Sequence, residues 1–207
     1  MAQYGFYFDQ SRCFGCKTCE QACKDFHNLG TTVTFRNVFE YSGGAWTDNG
    51  DGTYSQNAFK YYTSVSCNHC DDPACLPNCP SGAISKSEED GLVMNDKEIC
   101  IGCNTCVLTC PYTAPSVDED AGVAVRCDMC ASRRAEGKQP ICVEACLARA
   151  LDFGEIGELR AKYGDSAHVA PLPDKANTAP NLVIKASVRA LPTDDTTGSI
   201  TNPLEIM

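Results

Sequence analysis

Sixteen cysteines constrain this chain more than any other feature, and they fall into four groups of four. The first group is Cys13, Cys16, Cys19 and Cys23. The second is Cys67, Cys70, Cys75 and Cys79. The third is Cys100, Cys103, Cys106 and Cys110, and the fourth is Cys127, Cys130, Cys142 and Cys146. None is left over. Such density in 207 residues points to a disulfide scaffold or a metal protein. A disulfide scaffold belongs to a short secreted chain with a signal peptide. The opening residues, M-A-Q-Y-G-F, carry neither a basic region nor an apolar signal core. The pair Arg133 and Arg134 lies mid-chain and cannot serve as an export signal. The chain is therefore expected to stay in the cytoplasm, or to leave it attached to a partner that carries the signal. No apolar run is long enough for a transmembrane helix.

The groups repeat. The first and third share D-x3-C-x-G-C-x-T-C-x3-C, which fits Asp9, Cys13, Gly15, Cys16, Thr18, Cys19 and Cys23. It fits Asp96, Cys100, Gly102, Cys103, Thr105, Cys106 and Cys110 equally. The second and fourth share V-x-C-x2-C followed by P-x-C-x3-C, on Val65, Cys67, Cys70, Pro73, Cys75 and Cys79, and on Val125, Cys127, Cys130, Pro140, Cys142 and Cys146. The chain is thus two copies of a two-quartet unit, and a repeat this long is read as architecture first.

The third quartet, closed by Pro111, has the spacing of bacterial ferredoxins, in which the fourth cysteine ligates the other cluster. The reason is reach. Two-residue gaps curl three thiolates round one cube, and the fourth cysteine, already on a helix, points toward the next. Gly15 and Gly102 are expected to let the backbone approach sulfur closely. Pro80 and Pro111 are expected to stop a helix one residue after the fourth ligand. Zinc ribbons use two C-x2-C pairs per ion, and the x3 spacing inside each quartet suits them less well. A radical enzyme would keep a three-cysteine site with an open iron, whereas every quartet here is complete.

The repeat alone permits pairing of first with second and third with fourth. Linker lengths favour a nested arrangement. Twenty residues separate Cys79 from Cys100, whereas a long insertion lies between Cys23 and Cys67. The inner pair of clusters then takes Cys100, Cys103, Cys106 and Cys79, beside Cys67, Cys70, Cys75 and Cys110. The outer pair takes Cys13, Cys16, Cys19 and Cys146, beside Cys127, Cys130, Cys142 and Cys23.

The expected fold is α+β, with two interleaved ferredoxin-like 2[4Fe-4S] units. Residues 1–30 together with 117–152 form the outer unit and 62–116 the inner one. Residues 31–61 form an inserted β-hairpin, and 153–207 an extended C-terminal tail. Strands are expected at 4–8, 32–41 and 58–65, with turns at 42–44 and 48–52. A small hairpin joins 83–86 to 92–95, and 118–120 read as an acidic turn. Helices are expected at 17–26 and 155–163, the latter ended by Gly164. The aromatics of the insertion are weighted toward packing over an interface. The tail from residue 165 on, with one apolar run at Leu182, Val183 and Ile184, is expected to bury little by itself. It wraps over the body or a partner, or is partly disordered.

The formal charge of -10 argues against a nucleic-acid surface. Thiolate-bound clusters would add more negative charge, so basic residues should lie beside the quartets. Lys17, Arg126, Arg133 and Arg149 are the candidates. His27, His69 and His168 are read first as local packing, with His69, between Cys67 and Cys70, able to tune a cluster.

The segments Y-G-F-Y-F-D-Q-S-R-C-F-G-C-K-T-C-E-Q-A-C-K-D-F, S-C-N-H-C-D-D-P-A-C, C-I-G-C-N-T-C-V-L-T-C-P-Y, P-I-C-V-E-A-C and A-L-D-F-G are specific. They resemble the four-cluster electron-transfer subunits of the dimethyl sulfoxide reductase family. The likeness runs from about residue 4 to P-N-L-V-I-K in the tail. Related subunits serve nitrate, polysulfide, thiosulfate and formate enzymes. The resemblance implies the nested pairing and a non-catalytic relay with no direct small-molecule substrate. It implies a catalytic partner holding a molybdenum or tungsten bis-pterin, and an integral membrane anchor that oxidises quinol. Membrane association would then come through those partners, at the outer face if a signal-bearing catalytic partner exports the chain. Nitrate reductase relatives have Trp at the position of Cys103, so Cys103 implies four full [4Fe-4S] clusters. Leu147 stands where many relatives have Pro, which bears on helix termination and not on ligation by Cys146.

Overall fold

The computed structural model describes residues 2–165 and 169–206, so His168 lies outside the described residues. The fold is mixed α and β. In chain order the first elements are β1 (Tyr4–Asp9), α1 (Thr18–Phe26), β2 (Arg36–Gly43), β3 (Trp46–Asp48), β4 (Tyr54–Gln56) and β5 (Phe59–Ser66). Next come β6 (Ile84–Lys86), β7 (Val93–Asn95), α2 (Thr105–Thr109), β8 (Ser116–Asp118) and β9 (Val123–Val125). The last are α3 (Ala131–Ala135), α4 (Ile141–Glu144), β10 (Leu151–Glu155), α5 (Ile156–Tyr163), β11 (Leu182–Lys185) and β12 (Gly198–Ile200).

β1 is the centre of a three-stranded sheet, antiparallel to β10 and parallel to β11. Its apolar run lacks polar alternation because both faces are covered. Phe6 and Phe8 point with Leu182 and Ile184 into the main core, while Tyr7 and Val183 face Ile156 and Leu159 of α5. Gly164, at φ 86, ends α5 as expected.

The second sheet has the order β12-β2-β5. β2 begins at Arg36, four residues later than expected, because its ladder with β5 ends at the pair Arg36 and Ser66. Beyond Ser66 the partner strand turns into the second quartet, so residues 32–35 have nothing to pair with. At the other end Ser42 and Gly43, expected in a turn, still pair with Lys60 and Phe59. The insertion's aromatics divide. Phe35, Phe39, Tyr41 and Tyr61 are buried, whereas Trp46 and Tyr54 on the short β3–β4 hairpin are exposed.

The tail is a structural part of both sheets. Leu182, Val183 and Ile184 are all buried, and each such aliphatic side chain contributes ~1.5–3 kcal/mol. β12 extends the second sheet, and Asn202 continues its hydrogen bonding, accepting from Glu40 N–H at 2.8 Å and donating to the Val38 carbonyl at 2.9 Å. Of the expected courses for the tail, wrapping over the body is the one seen among the described residues. Borrowed strands in β1 and β2 let a polar segment bury its few apolar residues.

The quartets sit on short connections. β6 pairs with β7 as expected, and the acidic turn at 118–120 proves to be the tip of a second hairpin, β8–β9. Among the described residues no helix is long and apolar enough to cross a membrane.

Candidate metal centres

The first and third quartets share one backbone device. Asp9 Oδ1 accepts the Ser11 N–H at 3.0 Å, and Asp96 Oδ1 accepts the Glu98 N–H at 2.8 Å, so each motif opens on an Asx turn. Gly15 (φ 75) and Gly102 (φ 63) follow in the left-handed region. An added Cβ would overlap the Tyr62 ring at Gly15 and the Gly122 carbonyl at Gly102. The glycines thus serve a left-handed turn and tight packing against protein. Lys17 and Asn104, also left-handed, then start α1 and α2. The repeated threonines place their hydroxyls beside the second cysteine of each loop, Thr18 at 3.4 Å from Cys16 Sγ and Thr105 at 3.3 Å from Cys103 Sγ. Pro111 closes α2, leaving Cys110 extended at ψ 115. Pro80 does not end a helix: the residues before it form turns. Pro73 and Pro77 interrupt that segment, so no helix of useful length forms there.

These loops, with the second and fourth quartets, line cavities that are partly open to solvent. One of about 340 Å³ is lined by Cys13, Cys16, Cys19 and Cys146. Another, of about 370 Å³, is lined by Cys67, Cys70, Cys75 and Cys110. A third, of about 310 Å³, is lined by Cys79, Cys100, Cys103 and Cys106. The other four cysteines lie within electrostatic reach of one another: Cys142 and Cys130 act on Cys23, and Cys23 and Cys142 on Cys127. Each of these three cavities draws three cysteines from one quartet and one from another. Helix α1 explains this for two sets, with Cys19 and Cys23 one turn apart.

Burial pushes several of the thiols up, Cys23 and Cys67 to about 12 and Cys13, Cys70 and Cys130 to about 11. A thiol held protonated by burial becomes a thiolate when a metal supplies positive charge. All sixteen cysteines are free of disulfides. Backbone N–H groups already aim at sulfur: Ala124 at Cys100 and Met129 at Cys127, each at 3.3 Å, and Ala150 at Cys146 at 3.2 Å.

The cavity of Cys67, Cys70, Cys75 and Cys110 gives a sharper test of fit. His69 lines it and is fully buried. Its Nδ1 accepts the Val93 N–H at 2.8 Å, so the proton sits on Nε2, which has no protein partner. Burial and then Arg126 push the His69 pKa down to about 3, so the ring is neutral. Asn68 Nδ2 and Arg126 Nη2, also on residues lining the cavity, are buried without partners. Orphan donors call for acceptors inside the cavity. A cluster with bridging sulfides offers them and a bare zinc ion does not, so the residues fit an iron–sulfur cluster. His69 therefore packs locally through Nδ1, lines the cavity and keeps an unpartnered N–H.

Of the four basic candidates, Arg126 touches sulfur, with Nη1 3.3 Å from Cys75 Sγ. Lys17 pairs instead with Glu205, Arg133 with Glu144, and Arg149 donates to the Glu144 carbonyl at 3.0 Å. His27 Nε2 lies 3.5 Å from Cys130 Sγ and 3.7 Å from Asp128 Oδ1. Arg36 was missed by spacing arguments because it is far in sequence from every quartet. The available signal was an arginine inside the apolar run V-T-F-R-N-V-F, which a half-buried strand would carry inward.

Residues 58–156 match the family model of the 4Fe-4S dicluster domain, which spans the last three quartets. The chain is 57% identical over 204 residues to the probable anaerobic dimethyl sulfoxide reductase chain YnfG of Escherichia coli K12, covering 99% of this chain and 98% of that one. It is 54% identical over 206 residues to a chain of the anaerobic dimethyl sulfoxide reductase of Haemophilus influenzae, covering 100% of each. To the thiosulfate reductase electron transfer subunit PhsB of Salmonella typhi it is 36% identical over 159 residues, 75% of this chain and 78% of that one. With its cysteine-lined cavities and a likeness that spans its whole length, the protein belongs to the family of these anaerobic dimethyl sulfoxide reductase chains.

Proposed function

We propose that the chain is the electron-transfer subunit of a dimethyl sulfoxide or related S- or N-oxide reductase, and that it holds four [4Fe-4S] clusters. The observation that carries this is that each of three cavities is lined by cysteines from two different quartets. Such sharing makes two interleaved ferredoxin-like units, outer and inner, and suits a relay whose carriers must sit close together. The ligand sets are Cys13, Cys16, Cys19 and Cys146; Cys23, Cys127, Cys130 and Cys142; Cys67, Cys70, Cys75 and Cys110; and Cys79, Cys100, Cys103 and Cys106. Bound clusters supply one-electron redox chemistry, with potentials set by hydrogen bonds, charge and exposure.

The chain's own residues give the relay two ends. Cys16 and Cys103 are the exposed cysteines, and they belong to different sets. Exposed Phe14 and Leu147 flank the first, and exposed Ile99, Ile101 and Leu108 the second. Apolar rims of this kind suit protein partners. The set of Cys23, Cys127, Cys130 and Cys142 is buried throughout and belongs in the interior of the row. One end faces a molybdenum or tungsten bis-pterin catalytic subunit and the other an integral membrane quinol-oxidising subunit, which together hold the chain at the membrane. The chain itself carries out no catalysis on an organic substrate. The higher identity to dimethyl sulfoxide reductase chains than to PhsB favours that reductase over a thiosulfate enzyme.

The test is co-purification with metal analysis. About sixteen irons per chain and a large molybdenum subunit are expected. About four zincs, or an iron-loaded chain that copurifies with no molybdenum or tungsten subunit, would refute the reading.

A further inference from the structure

Two arginines are buried to the same degree, each only 2% exposed, and each lies among thiols of two different sets. Arg126 Nη1 is 3.3 Å from Cys75 Sγ, and its side chain lines the cavity of Cys67, Cys70, Cys75 and Cys110. It also acts electrostatically on Cys106, a member of the neighbouring set. Arg36 holds the corresponding place in the outer unit. Its Nη1 donates to Ser64 Oγ at 3.2 Å, and that hydroxyl lies 3.5 Å from Cys19 Sγ. Arg36 also lies within electrostatic reach of Cys19, Cys23 and Cys127. Cys19 belongs to one outer set and the other two to its neighbour.

The repeat explains the correspondence. Arg126 directly precedes Cys127, and Ser66 directly precedes Cys67. Serine is short and uncharged, so it brings no cation to the outer unit. Arg36, opposite Ser66 in the β2–β5 ladder, supplies the missing guanidinium across the strand pair, and its Nη2 donates to Ser66 Oγ at 3.0 Å. Stacking on the Phe6 ring, 4.6 Å from its centroid, fixes the group. The protein hydrogen bonds of these guanidiniums go to serine and cysteine, and Arg36 Nε, Arg126 Nε and Arg126 Nη2 have no partner. A buried cation in that position needs negative charge nearby.

We propose that Arg36 and Arg126 are equivalent fixed countercharges, one between the two clusters of each pair, and that each sets the reduction potentials of its own pair. The inference rests on the four-cluster reading above. A fixed cation favours the more negative, reduced form of both neighbours. Each arginine therefore raises its two potentials together and keeps electrons shared within the pair. Both act as positioning charges and neither ligates metal.

The test is a redox titration by low-temperature EPR on the full-length chain in its complex, with iron counted first. R126M should lower both inner potentials and leave the outer pair in place. R36M should do the reverse, and R126K and R36K should retain most of the wild-type values. At full iron content, unchanged potentials or an equal shift in all four overturn the proposal. Where a methionine variant loses iron from its pair, the lysine variant decides. A lysine variant with full iron and near wild-type potentials supports a role of charge, and one that also loses iron overturns it. A wild-type chain without iron refutes the underlying reading instead.

Discussion

The loops opened by Asp9 and Asp96 are one local structure in two settings. Both begin with an Asx turn, pass through a left-handed glycine and set a threonine hydroxyl beside a cysteine sulfur. Around Asp9 the loop is clamped beneath a three-stranded sheet that includes the tail. Around Asp96 it stands on two-stranded hairpins, with Ile99, Ile101 and Leu108 facing out. The cysteine loop is therefore a short-range code that needs little from its surroundings. What differs is how firmly each copy is anchored, and that is decided by a segment without cysteines.

The largest break in this comparison is expected from Val183→Asp. Val183 is 1% exposed, sealed between β1 and α5. An unpaired carboxylate there costs several kcal/mol, a large share of the ~5–15 kcal/mol that stabilises a typical domain. The outer loops should lose their anchor, with a large drop in thermal midpoint and loss of outer-pair EPR signals first. Leu108→Asp, on the exposed inner rim, should leave the isolated chain's midpoint nearly unchanged. Equal destabilisation by the two would remove the distinction.

Next in size is the loss of one proposed ligand. Cys103→Ser should damage the inner pair and leave the outer pair assembled, and Cys16→Ser should do the opposite. EPR of the reduced variants separates the cases. Disappearance of all four signals in either would show that the two halves do not assemble independently.

These contrasts also explain what the sequence could carry. Ligand spacing is a short-range code, so the repeated loops, α1 and the β6–β7 hairpin were legible from residue order. The role of the tail was not. P-N-L-V-I-K is too short to look like a core, and its burial depends on β1 lying open as a parallel neighbour. The start of β2 failed for the same reason, since a strand ends where its partner does. Arg36 reaches the thiols only through the β2–β5 ladder, a relation that linear spacing cannot express.

A smaller effect comes from comparing the second and fourth quartets. His69 and Met129 occupy equivalent positions, both left-handed and both fully buried. Only histidine brings an N–H, and that donor has no protein partner. Removing one hydrogen bond, worth ~1 kcal/mol, corresponds to ~40 mV for one electron. His69→Leu should lower one inner-pair potential by about that amount, and Met129→Leu should move none. A shift confined to the outer pair would contradict the placement of His69.

The smallest effect separates the two aspartates. Asp9 Oδ2 takes the Lys185 ammonium at 3.1 Å and faces Arg12 Nε at 3.6 Å, joining the first loop to the tail strand. Burial raises its pKa, but hydrogen bonds from Ser11 and Lys185 outweigh this and hold it below the usual carboxylate value. Because the folded value is the lower one, the stabilisation is complete above the unfolded value of ~4 and is lost as pH falls through the folded value. Asp96 is exposed and has the turn without a cation. Asp9→Asn should therefore cost about 1 kcal/mol near neutral pH, with the gap to wild type closing only under acid conditions. Asp96→Asn should show no gap, since an asparagine oxygen can hold the same Asx turn. Denaturation curves over a pH series distinguish the two, and a gap for Asp9→Asn that widened in acid would reverse the sign of the argument.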